Sequence, residues 1–264
     1  TLKAFGIAPC GDATSSMTLT IDRQPLADAG SDAEVCASAG TYTVSGATAS
    51  NYDAILWTTL GTGTLTNETT LTPTYTFGTN ETGPVTLTLT ASPASGSTCV
   101  AAIDQMVVTI IPSATAIAGS DATICESAVS YTLAATATNY TSLLWTTSGT
   151  GTFSNINIED PIYTPSAADI ISGSVTLTLK AFGIAPCGDA TSSMTLTIDR
   201  QPLADAGSDA EVCASALTYT VSGATASNYD AIAWTENGTG SITAGANTLT
   251  PTYTFGAGET GPVT

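Results

Sequence analysis

The chain has 264 residues, with 4 Lys and Arg against 22 Asp and Glu, for a formal net charge of −18. Because phosphate binding needs clustered Lys and Arg side chains, this charge argues against nucleic acid and anionic membrane surfaces as partners. No run of about 18 apolar residues occurs, so no membrane insertion is expected. At 42% hydrophobic residues the chain is too apolar for a disordered acidic polymer, and we expect folded domains.

Alternation of apolar residues with threonine is the main secondary-structure pattern, and it first occurs at residues 17–21. Such alternation is typical of strands with one buried face, and the β-branch of threonine suits the outer face. Turn-forming Gly, Asn and Ser residues separate the alternating segments. No segment has a sustained 3.6-residue period, so almost no helix is expected. In chain order, the further predicted strands are 41–44, 54–59, 72–77, 85–90, 175–179 and 194–198.

Internal repetition organises the sequence. Residues 1–39 recur letter for letter as residues 178–216, and a diverged copy lies about halfway between them. The predicted divisions are residues 1–26 as the C-terminal strands of a preceding repeat, two full repeats at 27–114 and 115–203, and a repeat at 204–264 that is incomplete at its C-terminus. We expect the sequence to be a segment of a longer array.

The pattern within each repeat predicts an all-β fold. About seven short strands separated by turns indicate an antiparallel, immunoglobulin-like β-sandwich, repeated in tandem. Short, Pro-containing joints such as residues 111–114 favour an extended rod or filament. One tryptophan per repeat is predicted to fill the core rather than to stack on a ligand; these residues are Trp57, Trp145 and Trp234.

Six regularly spaced cysteines predict disulfides in an extracellular chain. Two pairings follow the repeat. The first lies within repeats, Cys36–Cys99 and Cys125–Cys187, and leaves Cys10 and Cys213 to pair outside the sequence. The second crosses the joints and pairs residues 10 with 36, 99 with 125 and 187 with 213. The first is favoured, because the extended chain across a joint would hold those sulfurs tens of ångströms apart, at roughly 3.3 Å per residue.

The acidic residues near the joints are candidate calcium ligands, because oxygen-rich clusters suit Ca²⁺. The middle repeat has Ile117 and Thr123 at two of the acidic positions, so a calcium site at every joint is excluded and a site at alternate joints stays open. The alternative is that these acids are solvated and keep a long polymer soluble. The candidate ligands are Asp28, Asp32 and Glu34, with Asp205, Asp209 and Glu211 in the third repeat.

Catalysis is not expected. The sequence has no histidine and no Gly-x-Ser-x-Gly motif, and its acids are spread singly along strands and turns. Neither a catalytic residue nor a bound cofactor is predicted.

The order of motifs resembles PKD-like and immunoglobulin-like tandem repeats of giant surface proteins in Bacteroidota-type bacteria. The middle repeat carries Ala118-Gly-Ser-Asp-Ala-Thr-Ile-Cys125, then Trp145, Tyr163-Thr-Pro165 and Val175-Thr-Leu-Thr-Leu179, followed by a second cysteine. The Trp-x-Phe-Gly-Asp-Gly motif of typical PKD domains is absent, and Trp57-Thr-Thr-Leu-Gly-Thr-Gly63 stands instead. The resemblance implies type IX secretion, exposure on the bacterial cell surface, and a place among adhesins, including the gliding-motility class.

Three functions remain open from the sequence. The first is a structural spacer or filament segment of a long adhesin, whose partners are neighbouring repeats and a surface or glycan ligand. The second is a glycan- or cell-binding module, which would need exposed aromatic residues. The third is a pilus-type subunit that polymerises by strand complementation, in which residues 1–21 of one chain complete the last repeat of another.

Overall fold

The computed structural model describes the backbone of all 264 residues and the side chains of all but Ala214. The chain forms two compact units. The first unit contains residues 1–115, 137–142 and 181–190, and the second contains residues 116–136, 143–180 and 191–264.

Residues 1–25 form only a short hairpin. Strands β1 (Leu2–Ala4) and β2 (Ala13–Ser15) pair antiparallel, with Lys3 opposite Thr14. Every residue of both strands is exposed. The strand predicted at residues 17–21 is absent, although the same sequence at residues 194–198 is a strand. The sequence pattern is the same in both places, so the difference lies in what surrounds it.

The first repeat is a sandwich of short strands. One face is a four-stranded sheet in the order β4-β11-β10-β7, and the other face consists of the pair β3-β6 and the sheet β5-β9-β8. A 3₁₀ helix, Ala37–Ala39, follows β4. The strands are β3 (Leu26–Asp28), β4 (Ala33–Cys36), β5 (Thr41–Thr43), β6 (Thr48–Ser50), β7 (Ala54–Thr59), β8 (Thr64–Thr66), β9 (Thr74–Thr76), β10 (Gly83–Ser92) and β11 (Ala102–Ile111).

The long strands β10 and β11 are the centre of this repeat. They pair antiparallel over most of their length, with Leu87 opposite Met106. Alternate residues of both strands are buried, as the apolar and threonine pattern predicts. The outer strand β7 adds to β10, where Trp57 lies opposite Leu89, and both side chains are buried. The strand β4 adds to β11 in parallel, so that Cys36 lies beside Ile111.

The second repeat has the same organisation. Its main sheet has the order β13-β20-β19-β16, and the opposite face consists of β12-β15 and β14-β18-β17. A six-residue helix, α1 (Ala167–Ser172), begins at Ser166, whose side chain accepts a hydrogen bond from the Asp169 backbone N–H. The strands are β12 (Thr115–Ile117), β13 (Ala122–Cys125), β14 (Tyr131–Thr132), β15 (Thr136–Thr138), β16 (Tyr140–Thr147), β17 (Thr152–Phe153), β18 (Ile162–Thr164), β19 (Ser174–Gly183) and β20 (Ala190–Asp199).

The third repeat has strands on one face only. The pair β21-β23 and the sheet β22-β25-β24 form, and no strand of this repeat corresponds to β4, β7, β10 or β11 in the part of the chain that the structure describes. A 3₁₀ helix, Ala214–Ala216, occupies the place of Ala37–Ala39. The strands are β21 (Leu203–Asp205), β22 (Thr218–Thr220), β23 (Thr225–Ser227), β24 (Ser241–Ala244) and β25 (Thr252–Thr254).

The predicted all-β, immunoglobulin-like class is confirmed by these sheets. Helical structure is limited to α1 and the two 3₁₀ turns, and among the described residues no helix has the length and apolar character that crossing a bilayer demands.

Loss of a side chain between the two sheets should destabilise the first repeat strongly. Leu87 is fully buried, and we expect Leu87→Ala to lower the free energy of unfolding by about 2–5 kcal/mol, because it removes apolar contact and leaves a cavity. The matched control is Leu60→Ala, since Leu60 is 83% exposed. Urea denaturation of both variants checks this, and equal midpoints would contradict the assignment of this core.

Candidate functional site: the joint between repeats

A disulfide joins the first repeat to the β19–β20 connection of the second. Cys36 at the end of β4 bonds Cys187, with 4.9 Å between their Cα atoms. The Cys187 sulfur lies 3.3 Å from the carbonyl oxygen of Ile111, the last residue of β11. The Ser113 hydroxyl lies 3.3 Å from the Cys36 sulfur. All of these residues belong to the first compact unit.

Both predicted disulfides, Cys36–Cys99 and Cys125–Cys187, are therefore wrong. Cys36 and Cys187 are bonded to each other, and Cys99 and Cys125 are free. The prediction assumed that neighbouring first and last strands bring their cysteines together. Cys36, however, lies at the far end of β11, whereas Cys99 precedes its start. Ten residues of extended strand separate the two ends by about 30 Å.

An asparagine amide holds the chain at each joint. Asn139 has a left-handed φ of 55°, a conformation that asparagine tolerates better than most residues. Its side-chain amide donates a hydrogen bond of 3.0 Å to the Ser113 carbonyl oxygen. The same contact recurs one repeat earlier and one repeat later, from Asn51 to Gln24 and from Asn228 to Gln201, each at 3.2 Å. This contact is not predicted from the sequence, although an asparagine stands at the same place in all three repeats.

The free cysteines occupy the same kinds of position as the bonded pair. Cys99 lies in the β10–β11 connection, and its sulfur is 3.7 Å from the Asp22 carbonyl oxygen, the counterpart of Ile111. Cys125 ends β13 and lies beside Asp199, as Cys36 lies beside Ile111. Cys99 therefore occupies the position in its repeat that Cys187 has in the second, and Cys125 occupies the position that Cys36 has in the first. The free cysteines are Cys10, Cys99, Cys125 and Cys213.

A tyrosine with a carboxylate partner recurs in every repeat, and in the first two repeats the tyrosine is buried. In the first repeat the Tyr75 hydroxyl donates to Glu81 Oε2 at 2.8 Å. The Glu81 carboxylate also accepts the backbone N–H of Thr62 at 2.6 Å and of Gly78 at 2.8 Å. These bonds hold two loops against the end of the sandwich. The corresponding pairs are Tyr163 with Asp169, and Tyr253 with Glu259.

Asp169 is the buried member of this group of carboxylates, at 2% exposure. Its carboxylate accepts backbone hydrogen bonds from Thr150, Gly151 and Ser166 at 2.8–2.9 Å. The signal for these pairs was present in the sequence, because an acid follows a tyrosine by six residues in all three repeats. The spacing alone does not predict the pair, because it does not show that the acid is enclosed beside the tyrosine.

Hydrogen bonding sets the charge state of these carboxyls. Burial by itself would raise the pKa of Glu81, but the hydrogen bonds from Gly78, Thr62 and Tyr75 outweigh it and hold this pKa below its usual value. The same balance lowers the pKa of Asp169. Burial, and then the hydrogen bond to the carboxylate, raise the pKa of Tyr75. Each pair therefore keeps an ionised acid and a neutral phenol.

The candidate calcium ligands have other contacts in the structure. Asp28 accepts the Gly30 backbone N–H at 2.9 Å, and Asp32 accepts the Val107 backbone N–H at 2.8 Å. Asp205 accepts the Gly207 backbone N–H at 2.8 Å. Among the described residues, no three His, Cys, Asp or Glu side chains come together in a way that could hold a metal ion. Glu34, Asp209 and Glu211 therefore do not complete a cluster with these aspartates.

The three tryptophans lie at equivalent positions but differ in burial. Trp57 and Trp145 are 2% and 1% exposed, and Trp234 is half-buried. The indole N–H of Trp57 donates to the Thr70 carbonyl oxygen, and that of Trp234 donates to the Thr248 carbonyl oxygen. Trp234 thus keeps the hydrogen bond from its indole N–H, although the third repeat lacks the four-stranded sheet that buries Trp57 and Trp145.

Solved structures of similar fold come from cell-adhesion proteins. The N-terminal eight Ig domains of Down Syndrome Cell Adhesion Molecule match with a TM-score of 0.54 and 15% identity, covering 92% of this chain and 34% of that one. Mouse Cadherin-23 EC22–24 matches with a TM-score of 0.44 and 16% identity over 88% of each chain. Drosophila N-cadherin EC1–4 matches with a TM-score of 0.45 and 11% identity over 67% of this chain and 50% of that one.

The likeness to the eight Ig domains, with its TM-score of 0.54, agrees with the class of fold that the sheets define, an immunoglobulin-like β-sandwich repeat. At such identities the comparison shows the fold alone. The chain spans about half the length of the N-cadherin structure that it matches. No family model and no curated protein sequence matches it.

Removal of the charge in the Tyr75–Glu81 pair should destabilise the first repeat. We expect Glu81→Gln to lower the free energy of unfolding by about 2 kcal/mol, because hydrogen bonds to a charged acceptor are stronger than those to an amide. The matched control is Glu68→Gln, an exposed acid of the same repeat, for which a change within about 0.5 kcal/mol is expected. Chemical denaturation measures both, and equal effects would show that the pair is unimportant.

Acid should weaken the fold through the same carboxyls. Because the pKa of Glu81 is lower in the folded chain than its usual value of 4.5, its stabilising contribution is fully present above that pH. This contribution is lost as the pH falls through the lower, folded-state pKa. We expect the urea midpoint to decline below about pH 4.5, and to decline less steeply in Glu81→Gln. Parallel pH profiles for the two proteins would refute this explanation.

Proposed function

We propose that this chain is a load-bearing spacer segment of a long secreted adhesin on a bacterial cell surface. The Cys36–Cys187 disulfide is the observation that carries the proposal, since it links a strand of one repeat to a loop of the next. Without the disulfide, tension applied along the chain must pass through the joint at residues 111–114. With the disulfide formed, the S–S bond transmits the tension directly between Cys36 and Cys187, and the polypeptide between them is bypassed.

The surface and the core both suit a spacer. Thr86, Thr88 and Thr90 occupy outward positions of β10, and the net charge of −18 keeps a long acidic polymer soluble. Trp57 and Trp145, the residues best suited to stack on a sugar, are buried in the sandwich cores. This arrangement favours a spacer over a glycan-binding module, so a surface or glycan ligand would be bound by other parts of the adhesin.

The adhesin class is proposed from two likenesses. The solved structures of similar fold belong to a cell adhesion molecule and to cadherins. The motif order resembles PKD-like repeats of bacterial surface proteins, which implies type IX secretion and a role in gliding or attachment. The partners proposed for the chain itself are neighbouring repeats of the same array.

Single-molecule pulling tests the load-bearing role. The disulfide closes a loop with a sequence separation of 151 residues. When the chain is pulled from its two ends, we expect its final extension to be shorter by about 500 Å in the oxidised state than in the reduced state, at roughly 3.5 Å per residue. In the reduced state the two complete sandwiches, which lie mostly within this loop, should unfold in discrete steps.

The double variant Cys36→Ser/Cys187→Ser is the control, and it should extend fully with or without reductant. Two results would overturn the spacer proposal. One is an equal extension of the oxidised and reduced wild-type chains. The other is smooth extension without discrete unfolding events, as expected of an unfolded polymer.

A further inference from the structure

A period of 177 residues relates the cysteines of this chain to one another. At this offset the identical segments place Cys187 on Cys10 and Cys213 on Cys36. These four cysteines therefore belong to one kind of disulfide, of which Cys36–Cys187 is the example within the chain. The two cysteines that remain occur once in each period.

The remaining two, Cys99 and Cys125, have the local surroundings of the bonded pair. Cys125 ends the first strand of its main sheet, as Cys36 does, and each sulfur accepts a hydrogen bond of 3.2 Å from a serine two residues further on. Cys99 lies in the connection between the central strands, as Cys187 does. The sulfurs of these two lie 3.7 and 3.3 Å from a backbone carbonyl oxygen at the joint that precedes their repeat.

The spacing along the chain matches as well. Cys187 follows Cys36 by 151 residues. When Cys99 is moved one period of 177 residues towards the C-terminus, it follows Cys125 by the same 151 residues. Within one period, by contrast, Cys99 and Cys125 are not bonded to each other. Surroundings and spacing therefore both assign Cys99 of the following period as the partner of Cys125.

We propose that Cys125 of each 177-residue period bonds Cys99 of the next period, so that every joint of the array carries a disulfide and consecutive disulfide loops overlap. The inference rests on the proposed function, in which the chain is a segment of a longer array. It deepens that function, because it gives the array two covalent routes along which tension is transmitted.

The two routes can be followed along the sequence. The first crosses the Cys36–Cys187 bond and then the polypeptide from residue 187 to residue 213, where the next bond of the same kind begins. The second crosses the Cys125–Cys99 bond and then the polypeptide from residue 99 to residue 125. Each route contains 26 residues of polypeptide per period and bypasses the rest. Reduction of one kind of bond leaves the other route intact.

The Cys125–Cys99 bond forms by thiol–disulfide exchange. The hydrogen bond from the Ser127 side chain lowers the pKa of the Cys125 thiol and favours the thiolate, the reactive form. With oxidised glutathione as the oxidant, the two protein thiols lose two protons and two electrons, and one S–S bond forms. The glutathione disulfide takes up both protons and both electrons and leaves as two molecules of reduced glutathione.

The test is single-molecule pulling of chains in which residues 1–177 are repeated once or twice ahead of residues 1–264. The extension gained per added period is independent of the two chain ends. In the test variant Cys36→Ser/Cys187→Ser is introduced in every period, together with the equivalent changes Cys10→Ser and Cys213→Ser. After oxidation with glutathione, we expect this variant to gain about 90 Å per added period, because only 26 residues extend, at roughly 3.5 Å each.

Two other results would overturn the inference. A bond between Cys99 and Cys125 of the same period would give a gain of about 530 Å per added period, and free thiols would give about 620 Å. The matched control, Cys99→Ser/Cys125→Ser in every period, should gain about 90 Å through the Cys36–Cys187 route. With reductant, both variants should gain about 620 Å in discrete unfolding steps, which shows that their sandwiches fold.

The control separates this inference from the proposed function. A long gain in the oxidised test variant, with a short gain in the control, refutes the Cys125–Cys99 bond and leaves the spacer proposal standing. A long gain in the oxidised control overturns both proposals, since the Cys36–Cys187 bond then transmits no tension.

Disulfide mapping of the full-length protein is a second measurement that needs no substitution. Free thiols are alkylated, and the unreduced protein is digested on the N-terminal side of aspartate. Cys99 then lies in the fragment 53–103 and Cys125 in the fragment 121–159. We expect these two fragments to be recovered linked to each other. Recovery of both with alkylated thiols, or linked to other fragments, would overturn the inference.

Discussion

Pairing between the central strands β10 and β11 is the interaction on which the rest of each sandwich depends. In the first repeat the outer strands β4 and β7 have hydrogen-bond partners only because this pair is present. The third repeat provides the comparison: the tetrapeptide that forms β4 recurs unchanged at residues 210–213, where no central pair is described, and it is not a strand. The same dependence leaves residues 17–21 without strand structure. Strand formation here is a property of the sheet, and local β propensity does not produce it alone.

The parallel pairing of β4 with β11 also determines which cysteine lies within reach of Cys36. It brings Cys36 to the end of β11, beside Ile111, where the chain leaves the first repeat. A cysteine at that end is out of reach of its own repeat's β10–β11 connection and close to the corresponding connection of the next repeat. The bond between Cys36 and Cys187 is thus a consequence of strand direction, and it encloses the joint within the closed loop.

The sequence predicted what depends on local pattern. Alternation of apolar residues with threonine located β10, β19 and β20, and it indicated the sandwich class. It did not predict the disulfide, because spacing along the chain does not say at which end of a strand a cysteine lies. The Tyr75–Glu81 pair was predictable in principle, since the six-residue spacing recurs, but a buried carboxylate is apparent only when the loop that encloses it is known. Residues 17–21 were wrongly predicted as a strand, because an alternating pattern does not show whether a partner strand is present.

The joints show which contacts recur when a repeat is duplicated within the chain. The acidic residues at the joints differ between repeats, with Ile117 at the position of Asp28 and Thr123 at that of Glu34. The asparagine contact does not differ, because its acceptor is a backbone carbonyl that every residue supplies. Gln24, Ser113 and Gln201 therefore serve equally well as acceptors. Duplication of a whole repeat therefore carries the asparagine contact with it, even where the acids at the positions of Asp28 and Glu34 are replaced.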